Sequence, residues 1–295
     1  MRVLVTGATG LIGSHLVPAL QREGHQVVRL GRRPEAADFL WDPLRGTLDA
    51  RALEGVEAVV HLAGENIGQR WTAQRRERIW RSRVEGARLL AEAIVAAPSP
   101  PRVFVSASAV GYYGDRGQEP LDESSGPGTG FLADLCRAWE EAAQGATRAG
   151  TRVVNTRFGV VLSGRGGALA RLLPLFRLGL GATLGSGRQF MSWVALDDAV
   201  AGLLFALSRD DLSGPVNVSA PNPVTNAEFT RTLARVLGRP AFLRVPAFAL
   251  RLAMGRMADE ALLMGQRVLP AKLQAAGFQF RYPELEAALR HVLGR

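Results

Sequence analysis

Residues 6–13 read Thr6-Gly7-Ala8-Thr9-Gly10-Leu11-Ile12-Gly13, between the short apolar run Arg2-Val3-Leu4-Val5-Thr6 and a stretch with helical apolar spacing over 11–23. Each glycine has a geometric reason. Gly7 permits a tight turn out of the strand, Gly10 lets backbone approach a pyrophosphate, and Gly13 lets helix and strand pack closely. The helix N-terminus then presents free N–H groups and the positive end of its dipole to an anion. The spacing is Gly-x-x-Gly-x-x-Gly, one residue longer between the first two glycines than Gly-x-Gly-x-x-Gly. Inside a β-α-β unit this close to the start of the chain, it predicts dinucleotide binding rather than an ordinary strand–helix turn.

The second strand of that unit, His25 to Leu30, ends on Gly31-Arg32-Arg33. An NAD-preferring site would place an acid there for the ribose 2′-hydroxyl. A planar guanidinium instead suits a 2′-phosphate, so the expected cofactor is NADP(H). Further strands are predicted at 56–62, 103–106 and 152–158, and helices at 72–97, stopped by Pro98 and Pro101, and at 130–148. Strands alternating with helices of this length argue for an α/β fold with a parallel, doubly wound sheet. After residue 165 the texture changes. Gly-rich stretches at 164–167 and 179–187 bracket an apolar helix containing Pro174, a helix begins at Asp197-Asp198, and Val216-Asn217-Val218 reads as one more strand. The rest, 225–295, reads as mostly helical. The expected organisation is a cofactor-binding domain over 1–165, with a strand returning to it near 214–220, and a smaller, mostly helical substrate-side domain over 166–295.

Composition narrows the chemistry. The 295 residues include 36 Lys plus Arg, of which only Lys272 is lysine, and three tyrosines, Tyr112, Tyr113 and Tyr282. The net charge of +9 raises the question of nucleic acid, but the arginines form no block of like charge, so no nucleic-acid partner is expected. A mild positive field suits an anionic small molecule equally well. No stretch approaches 18 uninterrupted apolar residues and no leader-like run opens the chain, so no membrane partner is expected either. Cys136 stands alone and the four histidines are far apart, which leaves no disulfide and no expected metal site. The reading is of a cytoplasmic protein.

With these residues in view, a resemblance can be stated. TGATGLIG at 6–13, HLAGENI at 61–67, RSR at 81–83, SASAVGYYG at 106–114, FLADLCRAWE at 131–140 and TRFGVVLS at 156–163 resemble an atypical branch of the extended short-chain dehydrogenase/reductase superfamily. So do FRLGLGATLGSGRQFMSWVALDD at 176–198, GPVNVSAPNPVTNAEF at 214–229 and GQRVLPAKLQAAGFQFRYP at 265–283. The group is the epimerase family proteins, similar to nucleoside-diphosphate-sugar epimerases and sometimes labelled SulA-type cell-division inhibitors. The resemblance implies a Rossmann domain that binds NADP(H) and a C-terminal domain closing over substrate. Carried onto this chain, it implies that Gly7, Thr9, Gly10, Leu11, Ile12 and Gly13 form the phosphate loop. Gly31, Arg32 and Arg33 would hold the adenosine phosphate, and Leu62, Ala63 and Gly64 would run along the ribose and diphosphate. Arg83 and Ser106 would approach the cofactor, and Val160 and Val161 would pack near the nicotinamide.

The chain departs from the superfamily where a proton is needed. The superfamily's donor is a Tyr activated by a Lys four residues on, yet position 116 is Arg, 117 is Gly and 286 is Glu. Aligned through Glu140, the helix that should carry the pair places Leu132 and Cys136 there. Leucine has no proton to give, and a lone cysteine in an apolar stretch is usually a small core residue. The remaining candidates are Ser108, at the superfamily's helper hydroxyl, and Tyr112 and Tyr113 at the exit of the same strand. Asp197 and Asp198 read as a helix cap, and Arg188, Gln189, Met191 and Trp193 as either substrate-side residues or a hinge. The expected function is an NADP(H)-dependent oxidoreductase or epimerase-like enzyme acting on a small carbonyl or sugar-nucleotide substrate. Its rival is a non-catalytic NADP(H)-binding redox sensor. The expected partner is the small molecule, with a homodimer as the one assembly entertained.

Overall fold

The computed structural model describes residues 1–295. Its main sheet has eight strands: β1 (Arg2–Thr6), β2 (Gln26–Gly31), β3 (Phe39–Asp42), β4 (Thr47–Leu48), β5 (Ala58–His61), β6 (Val103–Ala109), β7 (Arg152–Phe158) and β8 (Gly214–Val218). Their spatial order is β8-β7-β6-β5-β1-β2-β3-β4, and only β3 with β4 is antiparallel. The fold is α/β and Rossmann-like. Strand order reverses at β1, which opens a crevice beyond its C-terminal end, where ligands of open α/β sheets bind.

The central strands are apolar in consecutive positions because both faces are covered. Val3 to Val5, Ala58 to Val60 and Val103 to Val105 are almost wholly buried. Helices α1 (Gly13–Arg22) and α5 (Leu196–Ser208) pack together on one face, and α2 (Ala73–Ala96) and α3 (Phe131–Gln144) on the other. α2 starts at Thr72, whose hydroxyl accepts the Arg75 N–H at 3.1 Å and so satisfies one of the free donors of the first turn. β3 and β4 extend the sheet through a stretch in which no strand was expected.

A second core gathers Leu162, Phe176, Trp193, Phe229, Leu233 and Leu289 among others. It lies among α4 (Gly167–Arg177), α6 (Asn226–Leu237) and α9 (Leu285–Leu293). The C-terminal half also holds α7 (Ala247–Met254), a π-helical turn at Ala258–Leu263, and α8 (Ala271–Ala275). Short two-stranded ribbons, not only helices, tie this half down: 160–162 with 193–195, 182–184 with 243–245, 190–191 with 224–225, and 120–121 with 267–268. Beyond residue 165 the chain still serves the first core, through α5, β8, Met257, Leu273 and Phe278.

Asp198 does not cap its own helix. It is fully buried and accepts the N–H groups of Arg281 and Tyr282, each at 2.9 Å, so it pins the C-terminal segment to α5. Asp197 pairs with His291 at 2.9 Å. Both carboxylates still lie in the first turn of α5, where the helix dipole favours them.

Candidate functional site

The glycine loop sits where β1 meets α1, and its shape explains its composition. Gly7 has φ +69°, and a Cβ there would lie 2.7 Å from the carbonyl carbon of Leu62. A Cβ on Gly13 would collide with the carbonyl oxygen of Gly7, whereas one on Gly10 would approach only that oxygen, at 3.2 Å. Gly10 therefore leaves open space beside the loop, and the other two glycines permit close backbone packing. The N–H groups of Thr9, Leu11 and Ile12 find no acceptor within the protein. Unpaired donors at a helix start form a cradle for an anion.

The opposite wall is tied to the loop by Thr6 and His61. Thr6 Oγ1 accepts the Leu62 and Ala63 N–H groups at 3.2 and 3.3 Å and lies 2.7 Å from His61 Nδ1. With both backbone donors pointing at the hydroxyl oxygen, its own proton goes to Nδ1, which assigns His61 the Nε2–H tautomer. The ring is wholly buried between Trp41 and Trp139, each edge-on at about 6 Å. Burial, and secondarily the charge of Arg83, push its pKa down to about 3.

That burial sets an acid response. Unfolded His61 titrates near 6.5, and the folded ring stays neutral until about 3. Between those values the unfolded chain holds the extra proton, so stability falls as pH drops, by up to about 1.4 kcal/mol per pH unit. Replacing His61 by Asn is expected to flatten urea-unfolding stability between about pH 6.5 and 5. An unchanged slope would assign the acid sensitivity to other groups.

A cleft of about 580 Å³ extends from this loop. Among the expected cofactor residues, Gly7, Thr9, Gly10, Gly31, Arg32, Arg33, Leu62, Ala63 and Gly64 line it together. Trp41, Arg78 and Ser82 also line it and were not anticipated. Arg78 and Ser82 stand one turn apart on α2, a spacing that puts both on one helix face. Arg29 is neutralised by Asp38 at 2.8 Å and Arg33 faces Glu35 at 3.6 Å, but Arg32 and Arg78 have no carboxylate partner. No acid stands at the end of β2.

Leu11, Ile12, Gly13, Arg83, Ser106, Val160 and Val161 do not line that cleft. Leu11 reaches the far side of the loop, where a Cβ on Gly166 would touch its Cδ1 at 3.0 Å, and Val160 and Val161 form the half-buried ribbon leading there. Arg83 lies behind the wall. It donates to the Glu65 carbonyl at 2.9 Å, sits 5.3 Å from the Trp139 ring centroid, and backs Gly64 so closely that a Cβ there would be 3.0 Å from its Cζ. Burial lowers its pKa to about 10, so it keeps its charge at neutral pH. Ser106 is fully buried beside His61 in the sheet register and has no surface facing the cleft.

Two of the three catalytic candidates, Ser108 and Tyr113, belong to one buried hydrogen-bond network. Ser108 Oγ donates to Glu140 at 2.6 Å, and Arg157 grips the same carboxylate with Nε and Nη2, both at 2.8 Å. Arg157 Nη1 donates to the Tyr113 hydroxyl at 3.0 Å, and that hydroxyl donates to Asn217 at 2.7 Å. Register explains the meeting, because Ser108, Arg157 and Asn217 are direct neighbours across β6, β7 and β8. Burial disfavours the Arg157 cation, but the hydrogen bonds and charge of Glu140 outweigh it and hold the pKa above the ordinary arginine value. Tyr113 is wholly buried, which pushes its phenol up to about 12. Ser108 is 3 % exposed. As they stand, both are internal partners of the ion pair, and neither presents its hydroxyl to a substrate.

Tyr112 is different. It is half-buried, its hydroxyl bonds no protein group, and its ring lies flat against the guanidinium of Arg157, with Cζ 3.4 Å from the ring centroid. Cys136 is buried beside the same network, and burial followed by the charge of Glu140 raises its thiol to about 11, so it remains a protonated core side chain. Among the other substrate-side expectations, Trp193 belongs to the second core and donates to the Asn222 carbonyl at 3.1 Å. Gln189 ties its loop to the carbonyls of Leu184 and Leu262 at 3.0 and 3.1 Å, while Arg188 is exposed and Met191 half-buried.

Comparison with known proteins bears on the family and the fold. The model of the NAD dependent epimerase/dehydratase family matches residues 3–219, and a domain of unknown function, DUF1731, matches 245–292. The chain is 46 % identical to the epimerase family protein ML0860 of Mycobacterium leprae, over 99 % of this chain and 96 % of that one. It is 35 % identical to the epimerase family protein YfhF of Bacillus subtilis, over 99 % of this chain and 98 % of the other. A crystal structure of the human epimerase family protein SDR39U1 with NADPH superposes with a TM-score of 0.92 at 38 % identity, covering 100 % of both chains.

Proposed function

The chain belongs to the NAD dependent epimerase/dehydratase family, and from that premise we propose that it is an NADP(H)-dependent oxidoreductase acting on a small carbonyl or sugar-nucleotide substrate. The observation that carries the cofactor choice is the pair of arginines without carboxylate partners, Arg32 and Arg78, in a cleft whose β2 end has no acid. The NADPH held by the human relative supports the same choice. Thr9, Gly10, Leu11 and Ile12 would hold the diphosphate on the loop shaped by Gly7 and Gly13. Gly31, Arg32 and Arg33 would hold the adenosine phosphate, with Arg78 facing them. Leu62, Ala63 and Gly64 would floor the ribose, and Val160 and Val161 would flank the nicotinamide.

A charge-assisted hydrogen bond contributes about 1.5–3 kcal/mol. Arg32→Met is therefore expected to weaken NADPH binding by roughly 10–100-fold while leaving NADH binding nearly unchanged, as read by fluorescence titration with both cofactors. Equal losses for the two would remove the 2′-phosphate assignment.

When bound, the nicotinamide supplies or accepts a hydride. We assign the accompanying proton to Tyr112, which follows β6 and whose hydroxyl bonds no protein group. Arg157 positions the ring by stacking on its face, as cations do on aromatic rings, and Ser108 and Glu140 fix Arg157 in turn. Fold alone does not set the reaction, so the test is turnover. NADPH oxidation followed at 340 nm across a carbonyl panel is expected to reveal a substrate, and Tyr112→Phe is expected to lower its kcat by about 100-fold, within the usual range for general acids. Tight NADPH binding with no oxidation on any carbonyl would favour the sensor instead. Unaltered kcat in the variant would move the proton donor elsewhere.

A further inference from the structure

The large apolar side chains left exposed are not scattered. Most fall in two stretches of the C-terminal half, including Leu175, Leu178 and Leu180 in the first and Phe242, Phe248 and Leu252 in the second. Phe242 is 90 % exposed, and Leu252, Leu178 and Phe248 are 78, 73 and 71 % exposed. The fold brings the stretches together. Residues 182–184 pair with 243–245 in one ribbon, and the Pro240 ring lies 3.5 Å from where Gly179 would carry a Cβ. α7 begins directly after that ribbon and buries none of its eight residues. Phe248 and Leu252 project from it one turn apart, on one face.

The charge on these stretches has a single sign. No Asp or Glu occurs between Glu141 and Asp197, or between Glu228 and Asp259. Of the six arginines in the second interval, only Arg235 and Arg251 have carboxylate partners, Glu286 and Asp259. Arg177, Arg239 and Arg244 are exposed beside the apolar side chains. None of the six apolar residues lines the cofactor cleft. An exposed apolar patch of this kind marks an interaction site.

We propose that the face formed by residues 175–184 and 239–254 docks on an anionic lipid bilayer, with its aromatic and leucine side chains at the headgroup–acyl boundary and its arginines on the lipid phosphates. A bilayer accepts protruding side chains without a pre-shaped pocket, and an apolar face bordered by arginine is the composition of interfacial helices. A second copy of the chain would bring one acid-free, arginine-bearing face against another, so charge complementarity disfavours self-association there. No helix is long and apolar enough to cross a membrane, and docking at the surface requires none.

The test is co-sedimentation of the full chain with vesicles of phosphatidylcholine, with and without about one-third phosphatidylglycerol. Binding is expected to the anionic vesicles only, and to weaken as salt is raised. Phe248→Ser with Leu252→Ser keeps the net charge and is expected to lower the partition coefficient by about tenfold or more. Arg239→Gln and Arg244→Gln are each expected to lower it by about fivefold. Unchanged NADPH affinity and thermal unfolding would show that these surface variants remain folded. Absence of binding to anionic vesicles overturns the proposal. So does equal binding by the Phe248→Ser/Leu252→Ser protein, which would reduce the effect to bulk charge. A dimer in sedimentation velocity that dissociates in that same variant also overturns it, by giving the face to a second copy.

Discussion

Gly13→Val is expected to abolish measurable NADPH binding and to lower the thermal unfolding midpoint by several degrees. The three nearest atoms to a Cβ at this position are the Gly7 carbonyl oxygen, Ala8 Cα at 2.8 Å and the Gly7 carbonyl carbon at 2.9 Å. All three belong to backbone, so no flexible side chain can yield, and the loop itself must move. Overpacking of this kind costs about 1–3 kcal/mol in a well-packed interior. Here the displacement falls on the amides that face the cleft, and about 2.8 kcal/mol of lost interaction is already a hundredfold in affinity. Gly10→Ala provides the contrast. Its Cβ meets only one protein atom, at 3.2 Å, so it is expected to fold with nearly wild-type stability and still bind NADPH poorly, because it occupies space left for the ligand. Paired isothermal titration and thermal unfolding separate the two effects. If Gly13→Val bound NADPH within tenfold of wild type, the loop would not be the phosphate cradle.

The loop was legible in the sequence because three independent constraints fall within eight consecutive residues between a strand and a helix. The absence of an acid after β2 was legible for the same local reason. What escaped was built from short or distant pieces. β3 has four residues and the ribbons two or three per strand, too few for a period to declare itself. Yet β3 delivers Trp41, which lines the cleft beside the glycine loop and packs on His61. Arg78 and Ser82 are on a long helix whose cleft-facing side becomes evident only once its angle to the sheet is known. Asp198 looks like a helix cap in sequence, and only the return of residues 281 and 282 reveals two backbone donors that need it more.

The polar network around Arg157 is the clearest case. Its hydrogen bonds join residues 17, 32, 44 and 104 positions apart. No motif spans such separations, although the sheet register makes three of the members direct neighbours. From sequence, Ser108, Tyr112 and Tyr113 are equivalent hydroxyls near a strand end. In the structure their environments diverge: one hydroxyl gives its proton to a carboxylate, one is sealed among Arg157 and Asn217, and one stays free. The scarcity of tyrosine and the missing Tyr-Lys pair directed attention to this strand end, and burial separates its three hydroxyls.

Removing one partner of the Glu140–Arg157 pair is expected to cost about 3–5 kcal/mol, because the other charge is left buried and unpaired. Glu140→Ala should show the full effect. Arg157 would keep its guanidinium only 3 % exposed with no anion to face, and Ser108 would lose its acceptor. At about 2–4 °C per kcal/mol for a chain of this size class, the unfolding midpoint should fall by roughly 10 °C. The double variant Glu140→Met with Arg157→Met should recover part of that loss, since replacing a buried pair by apolar groups of similar volume is often close to neutral. A double-mutant cycle reads this directly. Simple addition of the two single losses would show that the residues act separately, and the network would lose its place as the support of Tyr112. Recovery of stability in the double variant without recovery of carbonyl turnover would separate the two roles of Arg157. The core tolerates the absence of the charge, but the Tyr112 ring then has no guanidinium to lie against.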